Sequence, residues 1–162
     1  MKEAVPMVLE LGYWHLTDSH IITNILDHVD HTYMGETIPY PYPEIIAHWW
    51  LQSVQKKEGE NGIYRIVIVD GQQVGHICVT KKEEDPTIGE IQYCLMENFQ
   101  NHGIMTKACK QICKIAFEQL DITKIMGRVY RANVASCRVL EKNHFQCCQE
   151  ASIRIYIKHK DG

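Results

Sequence analysis

Apolar residues in LTDSHIITNILDHV, Leu16 to Val29, recur three and four positions apart at Ile21, Ile22, Ile25, Leu26 and Val29. That period predicts an amphipathic helix, with Thr17, Asp18 and Ser19 as capping residues at its start. A short strand-like run, Met7 to Leu11, precedes it. In GETIPYPYPEIIAHWWLQSVQKKEGENG, proline alternates with tyrosine ahead of a second helical pattern that carries Trp49 and Trp50. Each proline fixes φ and moves the residue before it out of helical geometry, so residues 38–43 are expected as a stiff extended loop. IYRIVIVDGQQVGHICVTKK sets two β-rich runs around Asp70-Gly71, a hairpin signal whose register the pattern leaves open. IGEIQYCLM, after the turn signal Asp85-Pro86, predicts a third consecutive antiparallel strand.

Further along, Ile104, Ala108, Ile112, Ala116 and Leu120 lie one helical turn apart and predict a helix from Ile104 to Leu120 with one buried stripe. A strand from Ile125 to Tyr130, a short helix from Val134 to Lys142 and two terminal strands complete the pattern. In the last strand Ile153, Ile155 and Ile157 face one way and Arg154, Tyr156 and Lys158 the other. The order βααβββαβαββ is that of a mixed α/β fold, a central sheet flanked by helices. A chain of 162 residues without linker, repeat or low-complexity tract is expected to form one domain spanning 1–162.

Composition narrows the function classes. With 45% hydrophobic and 23% charged residues, the chain reads as an ordinary globular protein. Acidic residues (20) outnumber basic ones (17), so nucleic acid is not an expected partner. Seven cysteines, none in a CxxC pair and none behind a signal-peptide pattern, point to a reducing compartment, the cytoplasm. No apolar run approaches the roughly 20 residues that span a bilayer. Cys109 with Cys113, and His28 with His31, have metal-compatible spacing but no further ligands near them in the pattern, so no metal site is expected.

The segment FQNHGIMTKACK, Phe99 to Lys110, brings a glycine to the start of the longest helix. The first N–H groups of a helix lack internal partners and the dipole is positive there, so an anion such as phosphate fits. Gly103 would let an oxygen approach the backbone closely. No Walker or GxGxxG pattern accompanies it, which disfavours nucleoside triphosphates and dinucleotides. One glycine before a helix is also an ordinary turn.

GEIQYCLMENFQNHGIMTKACKQICKIAFEQLDITKIMGRVYRANVASCRVLEKNHF resembles the GCN5-related N-acetyltransferase (GNAT) superfamily. The shared features are a strand, a Gln-x-x-Gly-x-x loop, a helix, a strand, then Asn133-x-x-Ser136 and VLEKNHF. TIPYPY ahead of Trp49-Trp50 is similar to the branch of ribosomal-protein N-terminal and polyamine acetyltransferases. The resemblance implies a mixed, mostly antiparallel sheet and direct transfer of acetyl from acetyl-coenzyme A to a primary amine in a ternary complex. It implies that Gln100, Asn101, His102, Gly103, Ile104, Met105 and Thr106 cradle the pyrophosphate, that Leu95 and Met96 pair with the pantetheine amides, and that Asn133 bonds the cofactor arm. Met105 stands where the family has glycine or alanine; turned to the cofactor it would obstruct, and turned inward it would fill core.

An alkyl amine with a pKa of about 10.4 is protonated at neutral pH and must lose a proton before attacking a thioester. Glu90 matches a glutamate of this branch and is the expected base; the alternative is a solvated strand end. Many relatives carry a tyrosine where Leu140 stands, so Ser136 is expected to serve the thiolate as general acid or hydrogen-bond donor, or else to satisfy the helix start. Tyr40, Tyr42 and Trp50 are expected to line the acceptor pocket, with Gln92 beside them, a position held by glycine in many relatives. The acceptor is a small amine or a protein N-terminus, and homodimers are common in this branch. A non-catalytic acyl-coenzyme A binding module or sensor is the alternative function.

Overall fold

A computed structural model describes residues 7–33 and 41–161. Its elements follow the hydrophobic pattern: β1 (Leu9–Gly12), α1 (Ser19–Asp27), α2 (Glu44–Lys57), β2 (Gly62–Val69), β3 (Gln72–Lys81) and β4 (Ile88–Leu95). After a 3-10 turn (Glu97–Phe99) come α3 (Ile104–Gln119), β5 (Lys124–Tyr130), α4 (Val134–Lys142), β6 (Gln146–Gln149) and β7 (Ile153–His159). The sheet has seven strands in the order β1-β2-β3-β4-β5-β7-β6. Every neighbouring pair is antiparallel except β4 and β5, which are parallel.

The hairpin register is set at its turn. Asp70 (φ 49°) and Gly71 (φ 82°) both take the left-handed conformation of a type I′ turn, which pairs Val69 with Gln72. The cap expected for α1 is replaced by a turn. Asp18 Oδ2 accepts from the His15 N–H at 2.8 Å instead of capping the helix, and buried Ser19 donates to Glu44 Oε1 at 3.1 Å, tying α1 to α2. Pro43 is extended (φ −66°, ψ 136°), while residues 38–40 of the expected loop, Tyr40 among them, lie outside the described residues.

Two cores sandwich the sheet. The α3 stripe Ile104, Ala108, Ile112 and Ala116, extended by Leu120, is buried against Val67, Ile77, Ile91 and Ile125 on one face. On the other face α1 and α2 cover Tyr64, Ile66 and Cys78. In β7 the buried side is that of Tyr156, which is fully buried and pairs with Gly127, whose missing side chain leaves room for Leu140 of α4. The Tyr156 hydroxyl donates to Glu141 Oε2 at 2.8 Å, and the isoleucine row is left on the face that α1 and α2 cover only over β2 and β3.

The second core holds a histidine. Trp14 Nε1 donates to His76 Nδ1 at 3.2 Å, and the Trp50 ring stands edge-on to both, at 5.1 Å from Trp14 and 5.0 Å from His76. Burial pushes the His76 imidazole down to about 4. The unfolded chain, with an ordinary pKa of about 6.5, therefore binds more protons between these values. Stability from this group is complete above the unfolded pKa and is lost as pH falls toward the folded one. His76 is half-buried as a residue, so the loss is at most about 3 kcal/mol. Urea unfolding at pH 4.5 and 7 is expected to show a larger acid loss for the wild type than for His76→Gln; equal losses refute the assignment.

Candidate functional site

A parallel pair must be joined by a crossover, here α3, and the two strands are free to part after their first residues. β4 and β5 pair over Ile88↔Lys124, Gly89↔Ile125 and Glu90↔Met126 only. Past Glu90 they separate, and a cleft of about 800 Å³ opens beside Tyr93, Cys94 and Leu95. α4 forms its opposite wall and the start of α3 its end. Because the Met96 N–H is spent on the Val74 carbonyl, the alternation of the strand turns the main-chain groups of Tyr93 and Leu95 toward the cleft. Val29 forms an isolated antiparallel bridge with Met96, which covers the chain beyond Leu95. Met96 is thus buried in the second core and is not part of the cleft wall.

The loop expected to hold phosphate lies at the end of this cleft. Asn101 (φ 65°) and Gly103 (φ 74°) are both left-handed, and Gly103 is the N-cap of α3. Gln100, Asn101, Gly103, Ile104, Met105 and Thr106 line the cleft, while His102 is exposed outside it, its Nδ1 3.3 Å from the Phe99 carbonyl. A Cβ built on Gly103 would meet no atom within 4 Å, so the space before this helix start is open. The first turn of α3 carries no acidic residue to neutralise its dipole. Met105 is 7% exposed in the main core, so its side chain is largely packed inward while its backbone borders the cleft.

Across the cleft, Asn133 caps α4, its Oδ1 accepting from the Ser136 N–H at 3.3 Å. The Ser136 hydroxyl does not serve the helix start; it lies 2.6 Å from the Tyr93 hydroxyl of β4. Asn143 at the other end of α4 donates from Nδ2 to the Thr106 carbonyl at 3.1 Å, which locks α4 to the first turn of α3. Arg138, Lys142 and Tyr93 are among the lining residues that had no place in the sequence-based site. Arg138 and Lys142 fall on one face of α4 with Ala135 and Val139, an i, i+3, i+4, i+7 row readable once the cleft side is known. Tyr93 meets Ser136 over 43 residues of sequence, and no local pattern carries such a contact.

The residues expected at the acceptor side lie apart from this wall. Glu90 sits where the strands still pair, with Oε2 accepting from Arg128 Nε at 3.1 Å and Oε1 3.5 Å from Lys82 Nζ. Gln92 is exposed on the same face of β4. The Tyr42 N–H donates to Asp27 Oδ1, and desolvation by burial raises the Tyr42 phenol above its ordinary pKa. Trp50 packs in the second core with Trp14, His76 and Tyr64. Among the described residues no helix is long and apolar enough to cross a membrane.

Comparison with known proteins bears on the cleft. Residues 8–146 match the family described as "Acetyltransferase (GNAT) domain". The "Putative ribosomal N-acetyltransferase YdaF" of Bacillus subtilis (strain 168) is 31% identical over 65 residues, 40% of this chain and 36% of that protein, so the chain spans about a third of the curated relative's length. The ribosomal-protein-S5-alanine acetyltransferase from Vibrio fischeri shares the fold with a TM-score of 0.76 at 18% identity, over 99% of this chain and 96% of that one. The aminoglycoside acetyltransferase AAC(6')-Ib in complex with coenzyme A gives a TM-score of 0.77 at 16% identity, over 96% of each chain. The family match runs from β1 to the first residue of β6 and takes in every element that builds the cleft: the chain belongs to the GNAT acetyltransferase family.

Proposed function

We propose that the protein is an N-acetyltransferase that binds acetyl-coenzyme A in the cleft between β4 and α4 and passes the acetyl group to a primary amine. The observation that carries this reading is the opening of the one parallel seam onto the unneutralised N-terminus of α3, with Arg138 and Lys142 on the facing wall. A helix start, a left-handed glycine and two cations suit a pyrophosphate. The cleft-facing main-chain groups of Tyr93 and Leu95 suit a pantetheine arm, which would add to β4 as a strand does. Asn133 can both cap α4 and bond that arm.

Acetyl-coenzyme A supplies a carbonyl activated by a thiol leaving group. The amine nitrogen bonds to that carbon, the carbon–sulfur bond breaks with its electron pair going to sulfur, and the proton lost by nitrogen balances the one gained by sulfur. Glu90 Oε1, whose ammonium neighbour stands 3.5 Å away, retains a lone pair to collect the amine proton directly or through water. Ser136 donates to the departing sulfur. Acceptor amines of two kinds fit the family's range, a protein N-terminus and a small amine, with Tyr42, Trp50 and Gln92 on the acceptor side. The second reading, a non-catalytic acyl-coenzyme A sensor, is favoured by the two cations on Glu90.

Calorimetric titration with acetyl-coenzyme A, followed by mass spectrometry of spermidine and of N-terminal peptides incubated with both, tests the proposal. Binding of roughly micromolar strength and a product heavier by one acetyl group are expected. Binding without any acetylated amine favours the sensor, and absence of binding refutes both readings.

A further inference from the structure

The Tyr93 hydroxyl is 2.6 Å from Ser136 Oγ and 3.3 Å from the Ser136 carbonyl, and both residues line the cleft. They come from opposite walls, β4 and α4. A phenol is a much stronger acid than an aliphatic alcohol, so in this pair the better donor is Tyr93. Its proton stays in place at any ordinary pH, because burial raises the phenol further. A Ser136 oxygen that accepts from Tyr93 has its own hydrogen free for another acceptor, and the remaining open space is the cleft.

On the reading of the cleft given above, we propose that Tyr93 is a positioning residue: it donates to Ser136 Oγ and so directs the Ser136 hydrogen at the sulfur of bound coenzyme A. The α4 position where many family members carry a tyrosine is Leu140, fully buried in the main core. A phenol therefore reaches the cleft from the facing strand. No net proton leaves Tyr93 or Ser136; the chain of two hydrogen bonds stabilises negative charge on sulfur while the carbon–sulfur bond breaks. Among the described residues, the other titratable groups facing Tyr93 are the thiols of Cys109 and Cys113 on α3 and of Cys137 on α4, and the charged residues of the cleft are Asp30, Arg138 and Lys142.

The test uses the full chain and no acceptor amine. Calorimetric affinities for free coenzyme A and for acetyl-coenzyme A are measured from pH 6.5 to 9.5. Taking their ratio cancels the titration of protein groups, since only the first ligand has a thiol. In the wild type the ratio is expected to rise about tenfold with pH, as a thiol pKa lowered by about one unit requires. Tyr93→Phe and Ser136→Ala are each expected to flatten the rise to under about twofold, and the double variant to be no flatter, because the phenol acts through the serine. Circular dichroism checks that the variants are folded, and the Ser136→Ala curve serves if Tyr93→Phe is not. A full rise in Tyr93→Phe, or a flat ratio in a wild type that binds acetyl-coenzyme A, overturns this inference alone. A wild type that binds neither ligand overturns the reading of the cleft as well.

Discussion

Gly103→Val is expected to weaken acetyl-coenzyme A binding by at least about 100-fold while the protein remains folded. Gly103 has φ +74° and no atom within 4 Å of a built Cβ, so the fold charges valine only for its backbone conformation, about 1–2 kcal/mol. The open space is the end of the cleft. A branched side chain there would stand where phosphate oxygens approach the N–H groups of Ile104, Met105 and Thr106. Hydrogen bonds to charged groups are each worth about 1.5–3 kcal/mol, so losing two accounts for the fall. Gly71→Val is the control, with φ +82° and equally open space, but in the β2–β3 turn outside the cleft. Both variants should lose similar stability in thermal melts, and only the first should lose affinity. Wild-type affinity in Gly103→Val would remove phosphate from this loop.

Glu90→Gln is expected to lower kcat/KM for the acceptor amine by about 10²–10³-fold with acetyl-coenzyme A affinity unchanged. The substitution keeps the shape and removes the group that can collect the amine proton. Its structural cost is small, since Arg128 is 57% exposed and is not stranded as a buried charge when its partner becomes neutral. The loss of rate should be less severe at high pH, where more of the amine is already neutral. Turnover equal to wild type at neutral pH would show that Glu90 serves only to hold Lys82 and Arg128 beside β4.

The order of elements was legible because each depends on a local period. The α3 stripe from Ile104 to Ala116 and the hairpin at Asp70-Gly71 are read from neighbours within one or two turns of chain, and both stand in the structure. The motif around Gly103 and Asn133-x-x-Ser136 made the family readable, and the family match spans residues 8–146. The cap at Asp18 failed for a local reason, since its carboxylate closes the preceding turn on His15 instead.

What the chain could not declare by pattern is where its strands part. That β4 and β5 lose their pairing after Glu90 follows from the crossover through α3 and from the packing of α4 behind it, held by Asn143 on Thr106. The cations of Glu90 come from Lys82 on the chain after β3 and from Arg128 on β5, and the Tyr93–Ser136 contact joins two walls. Burial in β7 likewise fell to the tyrosine side, because Tyr156 faces the main core while the isoleucine row does not. Sequence by itself determined the elements, their order and the glycine before α3, since periodicity and turn chemistry act between near neighbours. The cleft, the partners of its polar groups and the buried face of the last strand were decided by tertiary structure alone, because each is a contact between residues far apart in the chain, and only packing selects it.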